Sequence, residues 1–184
     1  MWRCLFLLLP WAMAAGTLEV EVRGSEIWLI ADGQPRELTH DGKPKQGAPL
    51  SPSRDRVAYV EVCTEQCTPS IVIVDLEGHR VRSLQPRIGA VSPAGPCASV
   101  DAITWASDGA IGTDCHINPS LGEYVKTDIA TGRNTRDLLG YGFTRSPNGK
   151  MVAHVGWIPH FAPPYAQSNY LQMDQTTFIR CPEV

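Results

Sequence analysis

The 184-residue sequence lacks the hydrophobic spacing of an α-helix. No stretch of ten or more residues repeats apolar side chains at positions i, i+3, i+4 and i+7, the pattern of an amphipathic helix. Short segments such as residues 17–22 instead alternate apolar and polar side chains, which is typical of half-buried β-strands. Hydrophobic residues make up 43% of the chain and charged residues 19%, so a sizeable core can be buried. We therefore predict an all-β protein, and the length favours one domain.

Clusters of basic residues are also missing. The 16 Lys and Arg residues are scattered and are outnumbered by 19 Asp and Glu, which gives a formal net charge of −3 at pH 7. Proteins that bind nucleic acids or anionic membranes draw their affinity from clustered Lys and Arg. We therefore expect neither nucleic acid nor an anionic membrane surface as a partner.

Motifs of common enzyme classes are missing as well. The sequence has no Gly-x-Ser-x-Gly nucleophile elbow, no His-Glu-x-x-His motif, no P-loop and no Gly-x-Gly-x-x-Gly fingerprint. Cys63 and Cys67 do not have the Cys-x-x-Cys spacing of a zinc site, and no pair of histidines lies near them. We therefore predict a protein that is not an enzyme, and we assign no catalytic residue, metal ligand or cofactor.

One longer apolar run is present, at the N-terminus. The first three residues carry a positive charge, residues 4–13 are rich in Leu, and residues 12–15 supply the small-residue pattern that signal peptidase recognises. Pro10 interrupts the run, which is shorter than the ~20 residues that cross a bilayer. We predict a cleaved signal peptide at residues 1–15, a mature domain at residues 16–184, a periplasmic or secreted location, and no membrane span after cleavage.

Two kinds of hairpin alternate along the mature chain. The polar residues 40–47 and the Pro-, Gly- and Ala-rich residues 85–96 are expected to be connecting loops. The first kind of hairpin turns on Ser-Pro or Ser-Asp-Gly, at residues 51–52, 107–109 and 146–147. The second kind is an apolar strand that ends in Asp, followed by a turn and a return strand. Its closing residues, spaced by 43, 53 and 46 positions, are Asp32, Asp75, Asp128 and Asp174. A period near 45 residues with four strands per unit is typical of β-propeller blades.

We interpret the polar residues of these hairpins as turn-forming. An Asp that recurs at one structural position fits hydrogen bonding within a turn better than it fits catalysis. Ser51 and Pro52 also suit a turn, because the fixed φ of proline matches an early turn position. The histidines are scattered, and we interpret them as surface residues or as residues with satisfied hydrogen bonds: His40, His79, His116, His154 and His160.

The repeated pattern resembles the WD40-like (PD40) repeats of TolB-type β-propellers. A blade of that family runs as an apolar strand, Asp-Gly, a Leu-Thr return, Ser-Pro-Asp-Gly-Lys and an Ile-Ala-Tyr strand. The first copy matches at Asp32-Gly33, Leu38-Thr39, Ser51-Pro52 and residues 57–59. The third copy matches at residues 146–150 and 152–153, whereas the second copy, at residues 106–109, has no proline. The resemblance covers about residues 19–180 and implies a TolB-like propeller domain.

The number of hairpins predicts an incomplete set of blades. Three hairpins of the Ser-Pro kind stand against four of the Asp kind, which together give about three and a half four-stranded blades. Typical propellers have ~4–8 blades. The domain is then a minimal four-bladed ring, an open propeller or part of a larger assembly. An unclosed sheet edge would invite edge-to-edge pairing into an oligomer.

Five cysteines follow the predicted signal peptide, and export would permit disulfide bonds. Cys63 and Cys67 flank the tip of one predicted hairpin, while Cys97 and Cys115 lie at the open end of another. Strand pairing brings the two members of each pair close together, as a disulfide requires. We predict the bonds Cys63–Cys67 and Cys97–Cys115, with Cys181 left over. Free cysteines and a different pairing are the alternatives.

One loop stands out as a candidate for binding a partner. Residues 157–165 are dense in proline and in ring side chains, which include Trp157, His160, Phe161 and Tyr165. Such stiff loops offer contact surface at a low entropic cost. We expect this loop either to contact a protein or peptide partner or to pack across an open propeller edge.

Three functions stay open from the sequence. The first is an exported, non-catalytic propeller domain that binds a protein or peptide partner. The second is the propeller portion of a prolyl-oligopeptidase-type peptidase that lacks its hydrolase domain. The third is a small exported propeller that binds or hydrolyses sugars with acidic residues in a central channel.

Overall fold

The computed structural model describes residues 16–63, 67–89, 95–118, 121–146, 151–155 and 176–180. These residues form antiparallel β-strands joined by turns, and they contain no helix. The predicted all-β class is therefore confirmed. Over the same ranges, no helix has the length and apolar character needed to cross a membrane. The predicted signal peptide at residues 1–15 lies outside them.

The first sheet contains three strands in sequence order: β1 (Leu18–Arg23), β2 (Glu26–Ala31) and β3 (Gln34–Glu37). Both connections are two-residue turns that contain a glycine at positive φ, Gly24 at 61° and Gly33 at 76°. Glycine reaches this region without a steric penalty, and such turns match the twist of paired strands. Asp32 also has a positive φ, of 50°, and Asp is one of the residue types that tolerate this region. The Asp-Gly signal in the sequence therefore located this hairpin.

The second sheet contains four strands in sequence order: β4 (Lys45–Gln46), β5 (Arg56–Glu61), β6 (Ser70–Asp75) and β7 (Arg80–Leu84). Strand β4 lies inside residues 40–47, which their polar composition led us to expect as a loop. That expectation is wrong at β4, where Lys45 and Gln46 pair with the end of β5. The ladder continues through a single bridge between Leu50 and Val57.

A small hairpin and a six-stranded sheet follow. The hairpin, β8 (Arg87–Ile88) with β9 (Gly95–Pro96), lies in the segment expected to be an irregular connector. The six strands pair in sequence order: β10 (Ser99–Ser107), β11 (Ala110–Asn118), β12 (Leu121–Asp128), β13 (Asn134–Arg145), β14 (Met151–Val155) and β15 (Thr176–Arg180).

Strand β13 belongs to two sheet units. Its first half pairs with β12 and its second half with β14, and Gly140 and Gly142, both at positive φ, lie where the pairing changes. Strands β10–β13 therefore make a four-stranded unit, which we call the third sheet, and β13–β15 make a further partial unit. Together with the first two sheets, the described residues provide about three and a half units, as the sequence predicts.

The second sheet is buried on both faces because its strands alternate. On β5, Val57 and Tyr59 point to the first sheet, whereas Ala58 and Val60 point to the third. The cluster between the first and second sheets, which we call the first junction, contains Ile27, Leu29, Leu38, Val57, Tyr59, Val72 and Val74. The cluster between the second and third sheets, the second junction, includes Ala58, Val60, Ile71, Ile73, Val100, Ile103, Trp105 and Ile111. Antiparallel sheets that pack face to face in succession are the architecture of propeller blades.

The Ser-Pro repeat has the same hydrogen bonds in its first and third copies. The Ser51 N–H donates to the Arg56 carbonyl at 2.8 Å, and the Arg56 N–H donates back to the Ser51 hydroxyl at 3.0 Å. Ser146 and Met151 repeat both bonds, each at 3.0 Å. The serine therefore closes the turn with its backbone and its side chain, which confirms the interpretation of Ser51 as turn chemistry.

The recurring aspartates also act on turns. One carboxylate oxygen of Asp75 accepts the N–H groups of Glu77 at 3.0 Å and of His79 at 2.8 Å. Asp128 accepts both the N–H and the hydroxyl of Thr131 at 2.7 Å. The turn-forming interpretation is confirmed for these two residues. Asp174 and the strand predicted at residues 169–174 lie outside the described residues.

Candidate functional site: a cleft between the second and third sheets

A cleft of about 310 Å³ lies where β5 ends and β10 begins. One wall comes from β4, the end of β5 and residues between β5 and β6, and the other comes from the start of β10 and the residue before it. The lining residues are Gln46, Val60, Val62, Cys63, Pro69, Ala98, Ser99, Val100 and Asp101. This volume is at the low end of the ~300–1,000 Å³ of ligand pockets, so the cleft fits one or two side chains rather than a large cofactor.

The base of the cleft adjoins the second junction, although most of its accessible lining is polar. Val60 is 1% exposed and Val100 is 4% exposed, and both belong to the cluster between the second and third sheets. Gln46 crosses the junction, because its side-chain amide donates to the Val100 carbonyl at 2.5 Å. The two walls are therefore joined by apolar contact inside the cleft and by one hydrogen bond from β4.

A β-bulge brings Asp101 into the lining. Strand β10 pairs Val100 with Cys115 and Ala102 with Asp114, so Asp101 is the extra residue of the ladder. A bulge re-aims the side chains around it, and here it keeps Val100 and Ile103 on the buried face although they are three residues apart. Asp101 is the charged residue of the lining, and its side chain is 59% exposed.

Two more ionisable groups lie beside Asp101. The Asp101 carboxylate is 3.4 Å from Nδ1 of His116, whose side chain is 43% exposed, and such a pair contributes at most about 1 kcal/mol. Burial, with a smaller effect from the charge of Asp101, raises the pKa of Asp114 to about 7. The third sheet beside Asp101 therefore gains negative charge as the pH rises through neutrality, although Asp114 is not part of the cleft lining.

Both disulfide bonds flank the cleft. The structure joins Cys63 to Cys67 and Cys97 to Cys115, with a Cα–Cα distance of 5.6 Å in each pair. Cys63 is part of the lining, and Cys97 directly precedes the lining residue Ala98. Cys97 and Cys115 are buried in the second junction, whereas Cys67 is exposed. Each wall of the cleft is thus held by its own cross-link.

The aromatic loop predicted to bind a partner is outside the described residues. This applies to Trp157, His160, Phe161 and Tyr165, and also to Cys181, so their roles stay predictions. Sequence reasoning missed the cleft residues Gln46 and Asp101. The interval of three between Val100 and Ile103 was a usable signal of the bulge. Gln46 carried no such signal, because its role depends on a sheet that lies far along the chain.

The described histidines fall into two groups. His40, His79 and His116 are exposed and each lies beside a carboxylate, as the sequence interpretation expects. His154 departs from it, since it is 7% exposed and its ring stacks on Phe143 at a centroid distance of 5.4 Å. Neither of its ring nitrogens has a hydrogen-bond partner within the described ranges. Over those ranges, no three His, Cys, Asp or Glu side chains form a group that could hold a metal ion.

Comparison with known proteins gives similarity only at the level of solved structures. No family model matches the chain, and no curated protein matches it. TolB from Acinetobacter baumannii is 20% identical with a TM-score of 0.46, and the match covers 70% of this chain and 32% of that one. Regucalcin, a calcium-binding protein from Agrobacterium tumefaciens strain C58, is 17% identical with a TM-score of 0.43. That match covers 84% of this chain and 52% of regucalcin. The chain therefore spans about a third and about half of these two proteins.

Proposed function

We propose that this protein is an exported, non-catalytic propeller-type domain that binds an extended peptide segment, free or within a protein partner. The observation that carries the proposal is the cleft at the second junction, whose mostly polar lining includes the half-buried Val62 and the exposed carboxylate of Asp101. Export is supported by the apolar, Leu-rich N-terminus with its cleavage pattern and by two disulfide bonds, which form in oxidising compartments.

The lining favours a small apolar side chain next to a cationic group. Val62, the half-buried valine of the lining, can contact an aliphatic side chain, and this contact contributes less than the about 1.5–3 kcal/mol of complete burial. Asp101 lies at the same site and attracts a Lys or Arg side chain or an N-terminal amine. Because Asp101 is more than half exposed, this attraction is modest and weakens with salt.

Selection of peptides from a displayed random library, with the purified protein as bait, tests the proposal. We expect enriched peptides that place a small aliphatic residue beside Lys or Arg. Val62→Asp would weaken their binding at least about tenfold, or 1.4 kcal/mol, because it replaces the aliphatic contact at Val62 with a charge. Asp101→Asn would weaken it less, and the difference would shrink at high salt.

Val81→Asn provides the matched control. Val81 is 52% exposed on β7 and is not part of the cleft lining, so this variant should bind the selected peptides as the wild type does. Binding is to be measured by fluorescence anisotropy with labelled peptides. The proposal fails if no peptide is enriched over the library, or if the peptides bind Val62→Asp and the wild type equally.

A further inference from the structure

The two disulfides beside the cleft differ in their access to solvent. Cys67 is exposed and Cys63 is half-buried in the lining, whereas Cys97 is 0% and Cys115 is 1% exposed. Thiol–disulfide exchange requires a thiolate to reach one of the two sulfur atoms. An external thiol can therefore reach Cys63–Cys67 in the folded protein, but it reaches Cys97–Cys115 only after the second junction opens.

The accessible bond also lies where it controls one wall of the cleft. Glu61 and Ser70 form the last ladder pair between β5 and β6, and Cys63 and Cys67 cross-link the segments just beyond it. Cys63, one end of that cross-link, and Pro69, two residues beyond its other end, both line the cleft. On the other wall, Cys97–Cys115 fixes the start of β10 to β11.

We propose that Cys63–Cys67 is a thiol–disulfide exchange site, and that its reduction by a dithiol loosens one wall of the cleft while Cys97–Cys115 holds the other. The effect on ligand binding rests on the proposed function, but the exchange reaction itself does not. The cleft is thus a peptide site whose shape depends on the redox state of its surroundings.

The exchange is a balanced two-electron reaction. A thiolate of the dithiol attacks Sγ of the exposed Cys67, so that a mixed disulfide forms and the Cys63–Cys67 bond breaks. Cys63 leaves as a thiolate and takes a proton from water. The second thiol of the reductant, as a thiolate, then attacks the reductant sulfur that is bonded to Cys67. Cys67 leaves as a thiolate and takes a proton from water. The protein disulfide is reduced to two thiols and the dithiol is oxidised to a cyclic disulfide.

Timed reduction by dithiothreitol without denaturant tests the exchange. Free thiols are trapped with N-ethylmaleimide at intervals, and the labelled cysteines are identified by mass spectrometry. We expect Cys63 and Cys67 to be labelled at least about tenfold faster than Cys97 and Cys115, because the buried pair must wait for local opening. Labelling of all four cysteines at one rate would overturn the proposal.

Amide hydrogen exchange tests the loosening of the wall. The protein reduced only at Cys63–Cys67 and the variant Cys63→Ser/Cys67→Ser should both exchange faster than the oxidised protein at residues 60–63 and 67–71. The amides of β10 and β11 should keep their protection in both samples, because the second disulfide is intact. The selectively reduced wild type has no substitution, so a folding defect of the double-serine variant cannot account for a change that both samples show. Unchanged exchange near Cys63 in both samples would overturn the switch.

Binding of the library-selected peptides separates this proposal from the proposed function. Selective reduction of Cys63–Cys67 should weaken their binding at least about fivefold, or ~1 kcal/mol. Equal binding to the oxidised and selectively reduced protein would overturn the switch and leave the proposed function intact. Failure of every peptide to bind the oxidised protein would overturn the proposed function, whereas the labelling and hydrogen-exchange results would still decide whether the exchange site exists.

Discussion

The two junctions of the second sheet differ most where β4 ends. Lys45 and Gln46 are neighbours on this strand, and successive side chains of a strand point to opposite faces. Lys45 points to the first sheet, where it is buried among carboxylates, and Gln46 points to the third sheet, where it spans the edge of a cleft. The same strand thus seals one junction and leaves the other accessible. A repeated architecture therefore does not give equivalent junctions, and the polar residues at each junction decide which one can take a ligand.

The seal of the first junction is a buried ion cluster with satisfied hydrogen bonds. The Lys45 ammonium donates to Glu26 at 3.1 Å, to the Ser25 and Lys43 carbonyls at 3.0 Å, and to Asp41. Burial alone would raise the pKa of Glu26, but hydrogen bonds from Thr39, Gly42 and Lys45 outweigh it and hold this pKa below its ordinary value. The cluster joins β2 to β4 and therefore ties the first sheet to the second.

Lys45→Met should have the largest effect, because it breaks this seal. The substitution leaves two carboxylates without their buried counter-charge, which costs about 3–5 kcal/mol of the free energy of unfolding. Lys43→Met is the matched control, since Lys43 is 54% exposed and its pair with Glu61 contributes at most about 1 kcal/mol. Urea denaturation of both variants measures the difference, and similar losses in the two would mean that the cluster is not what holds the first junction.

Gly78→Ala should separate the first and second sheets by steric force. Gly78 has a φ of 90°, and a Cβ atom there would overlap the backbone carbonyl oxygen of Leu38. We expect a loss of about 2–4 kcal/mol from backbone strain and overpacking. Gly33→Ala is the control, because Gly33 also has positive φ but has open space around its Cβ position. Thermal denaturation should show a clearly smaller loss for the control, and equal losses would remove the contact from the explanation.

Acidity should act on the first junction and on the third sheet, which carries Asp114, in opposite directions. Since the pKa of Asp114 is raised to about 7 from 3.8, its contribution favours the folded state below pH 3.8 and is lost as the pH rises through about 7. Asp114→Asn mimics the protonated acid, so it should stabilise the protein by about 1–3 kcal/mol at pH 8 and clearly less at pH 5, where only the unfolded state is ionised. Urea denaturation at the two pH values measures this, and an equal effect at both would contradict it.

The first junction supplies the other half of the pH comparison. The lowered pKa values of Glu26 and Asp41 stabilise the folded state above their ordinary values of 4.5 and 3.8. That contribution is lost as the pH falls below about 4 through their folded-state values. In Lys45→Met the acid-induced loss below pH 4 should therefore be smaller than in the wild type. An unchanged acid transition in Lys45→Met would show that these carboxylates are not its cause.

Trp105→Phe should have the smallest effect of the set, and it acts on the second junction alone. The Trp105 indole donates to the Pro49 carbonyl at 2.9 Å and so connects the third sheet to the chain before β5. Loss of this bond and of some packing should cost about 1–2 kcal/mol. Trp28→Phe, on the face of β2 that points away from the second sheet, should cost less. Denaturation curves that rank these two variants in the reverse order would contradict the assignment.

The sequence predicted those parts of the fold that depend on local patterns. Alternation on β5 and β6 and the turn residues Asp32-Gly33 and Ser51-Pro52 located hairpins, because a strand face and a tight turn are determined within a few residues. Strand β4 was missed because its two residues have no pattern of their own. Burial of Lys45 was also unpredictable, since Lys is almost never fully buried unless it is paired and its partner Glu26 lies on another sheet.

The candidate site was less predictable than the fold for the same reason. Cys63–Cys67 and Cys97–Cys115 could be proposed because each pair lies within a single hairpin. The cleft itself forms between two hairpins whose lining residues are about 30–55 positions apart, and its location depends on how the second and third sheets pack. A bulge at Asp101 and the reach of the Gln46 side chain complete it, and both are determined by the neighbouring strand rather than by local sequence.

Strand β13 has a consequence for how freely the chain could change during evolution. Because one unbroken strand serves both the third sheet and the partial unit after it, these two units have no linker between them. An insertion near Gly140 would shift the hydrogen-bond register on one side of the insertion or the other. Between the second and third sheets, by contrast, the chain runs through residues 85–98 before it enters β10. New length added between β8 and β9 would leave the register of the second and third sheets unchanged, so the boundary next to the cleft is also the one that tolerates variation.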